Sequence, residues 1–436
     1  MRKNAAQRLI LRGGRVVDPS QNLDEAADIV IDDGHIAAVG PEAAAKTSRG
    51  IVIDLHGLIV TPGLIDMHVH LREPGFEYKE TIRTGSEAAC AGGFTAVASM
   101  ANTDPVNDNR SVTEFILRKA AEAGLVRVHP VAAVTAGMKG ESLTEFWDLK
   151  RGGAVALSDD GRPVKNSAVM RRALEYAASL KMTVISHCED PDLSGDGVMN
   201  ESFVSTDLGL PGIPAAAEEI MVARDILLAR YTDTPVHIAH VSTAGSVDLI
   251  REAKKKGVKV TAETAPHYFT LTQEVLKDYD TNAKVNPPLR GPKDVEAVKE
   301  GLRDGTIDVI ASDHAPHAVT DKEVEFEYAA NGIVGLETSL GLSLRLVAEG
   351  VLTLSQLVAK MSVVPAVILG IPGGTLRPGS PADLTVIDTN LTWRVDPTVF
   401  RSRGRNTPFA GWELTGKTVL TVMGGRITYR DPSRWE

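Results

Sequence analysis

Between residues 61 and 375 the chain repeats one pattern: a short apolar run, then a stretch with the apolar spacing of an amphipathic helix. The runs end near His70, Met100, Val134, Ser158, His187, His240, Glu263 and Ser312. Helical patterns lie between most of them, for example over 111–123, 166–180, 215–229 and 246–256. Eight strand-then-helix units in one block predict an α/β fold, a (β/α)8 TIM-like barrel, with a doubly wound open sheet as the competing arrangement. A barrel makes one sharp demand: reactive side chains should stand at the C-terminal ends of its strands.

The flanks read differently. Leu9-Ile10-Leu11, Arg15-Val16-Val17, Asp28-Ile29-Val30-Ile31 and the run from His35 to Val39 are β-rich and split by Gly, Asp and Pro. The runs 382–387, 417–422 and 426–429 look alike. We therefore expect residues 1–60 and 376–436 to meet in one small β-sandwich domain, with the barrel over 61–375; two separate β caps are the alternative. At 436 residues the chain is long enough for both units. A net charge of −10 argues against a general nucleic-acid binder, since phosphate neutralisation needs a basic surface. Two cysteines, Cys90 and Cys188, give no disulfide framework. The first 12 residues lack the apolar core of a secretory leader, and no apolar run approaches a membrane span. A soluble, cytoplasmic protein acting on a small molecule is the expectation.

The strongest local signal is Thr61-Pro62-Gly63-Leu64-Ile65-Asp66-Met67-His68-Val69-His70. Side chains alternate along a strand, so His68 and His70 share one face and can chelate one cation. Two packed or surface histidines would read the same way in isolation. His187 and His240 each sit where a strand hands over to a loop. By parity, His237 then points outward, toward the helices. Asp313 follows the run 307–312 and could be a helix N-cap or a ligand. Asp159-Asp160-Gly161 follows the fourth strand, where turn chemistry is the plain alternative. Imidazole and carboxylate donors suit zinc. Four histidines and two carboxylates exceed the three protein ligands of one catalytic zinc, which points to two metals sharing a carboxylate.

These residues resemble the amidohydrolase superfamily, as does the late stretch Arg377-Pro378-Gly379-Ser380-Pro381-Ala382-Asp383. More closely, His70-Leu71-Arg72-Glu73-Pro74-Gly75, Ser158-Asp159-Asp160-Gly161, His187-Cys188-Glu189-Asp190, Ala262-Glu263-Thr264-Ala265-Pro266-His267-Tyr268, Asn286-Pro287-Pro288-Leu289-Arg290 and Ser312-Asp313-His314-Ala315-Pro316-His317 are similar to the class I dihydroorotases. The resemblance spans nearly the whole chain. It implies two zinc ions per subunit, one held by His68, His70 and Asp313, the other by His187 and His240. Many superfamily members bridge their metals with a carbamylated lysine on the fourth strand. Here Lys150 precedes that strand and Lys165 lies past it, so the resemblance implies Asp160 as the bridge. It implies His70, Arg72, Asn102, Asn286, His317 and the pair Asn331-Gly332 as substrate contacts. Asn331 stands where relatives carry phenylalanine.

The implied reaction is the reversible cyclisation of N-carbamoyl-L-aspartate to (S)-dihydroorotate plus water, in de novo pyrimidine biosynthesis. A hydroxide held by metal attacks the ring amide, and Asp313 serves as general acid and base. Arg72 suits a planar carboxylate. The charged segment Ala315 to Gly332 reads either as a lid that excludes water or as a solvated loop. A hydantoinase- or allantoinase-like activity is one alternative, although those enzymes expect the lysine; a non-catalytic assembly partner is another. The resemblance further implies a homodimer and association with aspartate transcarbamoylase.

Overall fold

The structure, a computed structural model, describes residues 8–46 and 50–434. The leader reading over 1–12 therefore falls partly outside the described residues. The middle of the chain is a cylinder of eight parallel strands in sequence order: β1 (Leu64–Val69), β2 (Phe94–Ser99), β3 (Arg127–Ala132), β4 (Ala156–Leu157), β5 (Thr183–Ser186), β6 (Val236–Ile238), β7 (Val260–Thr264) and β8 (Val309–Ile310). The last strand returns to the first: Val69 bridges His314, and the His70 amide donates to the His314 carbonyl at 2.8 Å. The expected barrel is the fold.

Local chemistry sets the helix boundaries. Asn109, Asn166 and Thr243 accept hydrogen bonds from the first amides of Arg110–Ala123, Ser167–Ser179 and Ala244–Lys255. Gly63, just before β1, is required by space: a Cβ there would lie 2.1 Å from the Thr95 hydroxyl oxygen. Apolar side chains of β1 to β5 and β8 fill the barrel interior, Met67, Ala98, Val131, Ala156, Ile185 and Val309 among them.

The terminal segments form one hydrogen-bonded sheet. Leu9–Asp18 pairs with Leu23–Asp32 on one side. On its other side it pairs first with Ile51–Asp54 and then with Ile59–Pro62. Ile59–Pro62 also pairs antiparallel with Leu384–Arg394, which continues into Glu413–Met423 and Arg426–Arg430. The two runs expected as separate strands near Leu9 and Arg15 are one strand with a register shift between Leu11 and Gly14. At that irregularity the sheet changes partner and folds over a common core that includes Leu11, Ile29, Val60, Leu384 and Val422.

The sheet is fastened to the barrel by polar contacts. Thr385, Thr418 and Thr421 donate to the carbonyls of Gly93, Gly92 and Cys90, at the C-terminal end of helix Ile82–Gly92. The Cys90 and Gly93 carbonyls also accept from the Gly93 and Leu64 amides, so the threonines add second partners there and supply one to Gly92 at the helix end. Arg127 pairs with Asp383 at 2.7 Å. Cys90 and Cys188 are free and buried.

Candidate active site

Five of the eight barrel strands end by turning donor side chains into the same mouth. His68 is fully buried at the end of β1, with His70 just beyond it. Asp160 follows β4, His187 follows β5, His240 follows β6 and Asp313 follows β8. Their donor atoms form two groups that share one residue: His68, His70 and Asp160, and Asp160, His187 and His240. Asp160 Oδ1 lies 3.4 Å from His68 Nε2, 3.6 Å from His187 Nδ1 and 3.4 Å from His240 Nε2. Its Oδ2 lies 3.4 Å from His70 Nε2. Asp313 Oδ1 stands beside the first group, 3.2 Å from His70 Nε2 and 3.6 Å from His68 Nε2.

Whether this donor set fits a cation can be tested on its unsatisfied atoms. His68 Nε2 and Asp160 Oδ1 are buried without a hydrogen-bond partner. Such atoms are costly unless something else engages them. His187 Nδ1 and His240 Nε2 approach to 2.8 Å, so the lone pairs of two imidazoles are aimed at one region. The residues fit a metal, and Asp160 is the donor common to both groups. The backbone supports the same reading of strain at a working site. Arg72, His240 and Asp313 have φ of 63°, 32° and 48°, a region that non-glycine residues seldom occupy.

Asp159 is turned elsewhere. Its carboxylate accepts hydrogen bonds from the Val134 and Thr135 amides and the Thr135 hydroxyl, and burial raises its pKa to about 6. Lys150 and Lys165 are also engaged elsewhere, by the Leu180 carbonyl and by Asp192.

A second ring of groups orients the first, and sequence reading had given it no role. Glu263, in β7, accepts from His68 Nδ1 at 2.5 Å and from His237 Nε2 at 3.3 Å. Burial opposes its charge, but the imidazoles of His68 and His237 hold its pKa at about 2. The outward direction expected for His237 is therefore wrong. β6 ends at Ile238, and the left-handed turn at His240 breaks the alternation on which that expectation rested. Glu189 accepts from His187 Nε2 and from the Asn286 amide, both at 2.9 Å, tying a donor of the second group to a pocket residue. Burial works against the charged form of His187, yet its bonds to Asp160 and Glu189 lift it to about 10. The sequence signals for Glu263 were its place at the end of a barrel strand and within the motif that begins Ala262-Glu263, neither of which gave it a role.

The mouth opens into a pocket of about 240 Å³. Its walls include His70, Arg72, Asn102, Asn286, His317, Asn331 and Gly332, together with Asp160, His187, His240 and Asp313. All expected contacts are brought together, with His68 beneath. Arg72 Nε donates to the Pro316 carbonyl, and burial lowers the guanidinium to about 10 despite the pull of Asp313 and Asp160. The Lys79 ammonium can only donate, so His317 Nδ1 accepts from it at 3.2 Å. His317 Nε2 then carries the proton and donates to the Asn331 carbonyl at 2.8 Å. Burial, reinforced by Arg72 and Lys79, pushes the His317 pKa down to about 2. The Gly332 amide donates to the Lys284 carbonyl, and the Asn331 and Gly332 carbonyls accept from His317 and from the Asn406 side chain. A Cβ on Gly332, whose φ is 131°, would lie 2.6 Å from Ala315 Cβ.

An eight-stranded barrel with imidazoles and carboxylates gathered at the strand ends defines the class, a metal-dependent amidohydrolase; residues 205–429 match the amidohydrolase family profile. Residues 57–246 match the dihydro-orotase-like profile. The dihydroorotase of Syntrophus aciditrophicus (strain SB) is 61% identical over 424 residues, covering 97% of this chain and 100% of that one. The dihydroorotase of Geobacter metallireducens is 60% identical over 422 residues, covering 97% and 99%. Among solved structures, the L-hydantoinase from Arthrobacter aurescens superposes with a TM-score of 0.85 at 26% identity, covering 97% of this chain and 96% of that one. The chain belongs to the dihydroorotase family.

Proposed function

We propose that the protein is a dihydroorotase, interconverting N-carbamoyl-L-aspartate and (S)-dihydroorotate plus water. The observation that carries this is a pocket in which Arg72 faces a ring of metal-binding donors around Asp160, in a chain 61% identical to a dihydroorotase. His68 and His70 with Asp313 would hold one metal and His187 with His240 the other, Asp160 serving both. Zinc, two ions per chain, suits this set of imidazoles and carboxylates. When bound, the metal lowers the pKa of a water to roughly 7 and draws electron density from a carbonyl oxygen.

The protein groups do the rest. Arg72 is oriented toward the pocket by Nε, which donates to the Pro316 carbonyl, and by a terminal nitrogen 3.3 Å from His317 Nε2; its guanidinium would pair with the ring carboxylate. Asn286 gives its N–H to Glu189, which leaves its carbonyl oxygen for a substrate N–H. In hydrolysis a C–O bond forms between water and the ring carbonyl carbon as a proton passes to Asp313. Asp313 then delivers that proton to the ring nitrogen while the C–N bond breaks, releasing the ureido acid. Burial opposes ionisation of Asp313, but the imidazoles of His68, His70 and His240 hold it well below the usual carboxylate range, so it stands ionised. Cyclisation is the reverse.

The same reading divides the chain into a catalytic barrel, 61–375, and a composite terminal unit, 1–60 with 376–436. No helix among the described residues is long and apolar enough to cross a membrane, which agrees with a cytoplasmic enzyme. A homodimer, with aspartate transcarbamoylase as a further partner, is the assembly that the resemblance implies; size measurement of the purified chain, alone and with that enzyme, tests it. For the activity, dihydroorotate, hydantoin and allantoin are assayed side by side. Dihydroorotate should be turned over far faster than the other two. Preference for hydantoin or allantoin would move the chain to that activity.

A further inference from the structure

Two lysines lie buried beside the pocket and are used by no step above. Lys284 and Lys322 are each 4% exposed. Lys322 belongs to the loop after β8, and Lys284 to the segment that leads into Asn286. They reach across to each other's segment. Lys284 Nζ donates to the carbonyls of Phe326 and Glu327 at 2.7 and 2.9 Å. Lys322 Nζ donates to Ala330 and Thr281 at 2.6 and 2.9 Å, with Lys284 O at 3.4 Å. Thr281 completes the exchange by donating to the Lys322 carbonyl at 2.6 Å.

Every acceptor here is a main-chain carbonyl; those of Phe326, Glu327 and Ala330 lie in turn or loop backbone with no ladder to pair with, and those of Thr281 and Lys322 lie in short helical turns. An ammonium carries three donors and no acceptor, so one lysine can gather carbonyls from two segments at once. The arrangement is held against a real penalty: burial pulls Lys322 down to about 7 and Lys284 to about 8. Next to this clamp, the Gly332 amide donates to the Lys284 carbonyl at 2.8 Å, and the Asn331 carbonyl accepts a hydrogen bond from His317 Nε2 at 2.8 Å.

We propose that Lys284 and Lys322 are positioning residues for the substrate: their crossed hydrogen bonds hold the loop after β8 against the segment over 281–286, so that Asn286, His317 and the 331–332 backbone form one preassembled pocket wall. The expectation of a lid becomes specific. The loop is closed before substrate arrives, and two buried lysines fasten it.

This rests on the dihydroorotase reading for its substrate, and the test separates the two. Lys284→Met and Lys322→Met are made in the full chain, with Lys360→Met as the control. Lys360 is also buried and donates to a main-chain carbonyl, that of Ile307, away from the pocket. For the pocket variants, KM for dihydroorotate should rise about tenfold or more while kcat stays within about threefold, with metal content unchanged. The Lys360 variant should lose thermal stability and keep its KM. Folded pocket variants with unchanged KM would overturn the proposal, as would an equal rise in KM for the control. Should the pocket variants fail to fold, hydrogen exchange on the wild-type enzyme decides. Slow exchange over 319–332 without ligand supports the clamp, and fast exchange there overturns it. Wild-type enzyme that ignores dihydroorotate would count against the activity, while the exchange result would still stand for the clamp.

Discussion

The mouth of the barrel and the terminal sheet are both assembled from segments far apart in sequence, but by opposite means. The sheet joins Ile59–Pro62 to Leu384–Arg394 by backbone pairing and buries Leu11, Val60, Leu384 and Val422 in an ordinary apolar core. The mouth gathers imidazoles and carboxylates, leaves His68 Nε2 and Asp160 Oδ1 without protein partners, and holds Arg72, His240 and Asp313 at left-handed φ. One region is stabilised by its contacts. The other keeps buried donor atoms that no protein hydrogen bond satisfies and that a ligand would engage. Changes in the sheet should therefore move stability, and changes in the mouth should move chemistry.

The sharpest way to break this contrast is Asp313→Ala. Turnover should fall by roughly 10²–10⁴-fold, the usual contribution of a positioned acid–base group. The melting temperature should stay near that of the parent. Normal turnover by the folded variant would remove Asp313 from the mechanism.

Leu384→Ala tests the other region. It removes a fully buried side chain from the sheet core and should cost about 2–5 kcal/mol, read by denaturant unfolding. KM and kcat at low temperature should be unchanged. A large loss of activity without a loss of stability would show that the two regions are not separate in function.

Glu263→Gln probes the ring behind the donors. It keeps the shape but weakens the carboxylate that orients His68, so metal affinity should drop by roughly 10–100-fold. Titration with zinc against a competing chelator reads this directly. Unchanged affinity would make Glu263 a packing residue only.

The smallest effect is one of pH, where the sheet meets the barrel. Burial, with help from Arg127, depresses the His129 pKa from 6.5 to about 4. The unfolded chain therefore binds this proton at higher pH than the folded one. The stability that neutral His129 supplies is present above about pH 6.5 and is lost as pH falls toward 4. In His129→Gln the melting temperature should fall less steeply across that window.

Much of this was legible before any coordinates, for physical reasons that differ by residue. The barrel strands are apolar runs between helical periods, so even β4 and β8, two residues each by pairing, stand out. His68, His70, His187, His240 and Asp313 stand out because polar groups rarely end an apolar run without cause. The resemblance pointed to Asp160, but spacing alone does not separate it from Asp159, since neighbours on a turn differ only in where each points. Glu263 and His68 are 195 residues apart, and no spacing rule joins them. Lys284 and Lys322 sit in polar, charged stretches and read as surface lysines until their burial is seen. First donors announce themselves at strand ends, whereas the groups that hold them are known only by contact.

The central claim is that the mouth holds two cations through one shared carboxylate. Metal analysis combined with anomalous diffraction from crystals of the zinc-loaded protein tests it most directly. The account predicts two zinc ions per chain, roughly 3.5–4 Å apart, both bound by Asp160. A fully active enzyme with one ion, or with none touching Asp160, would contradict it.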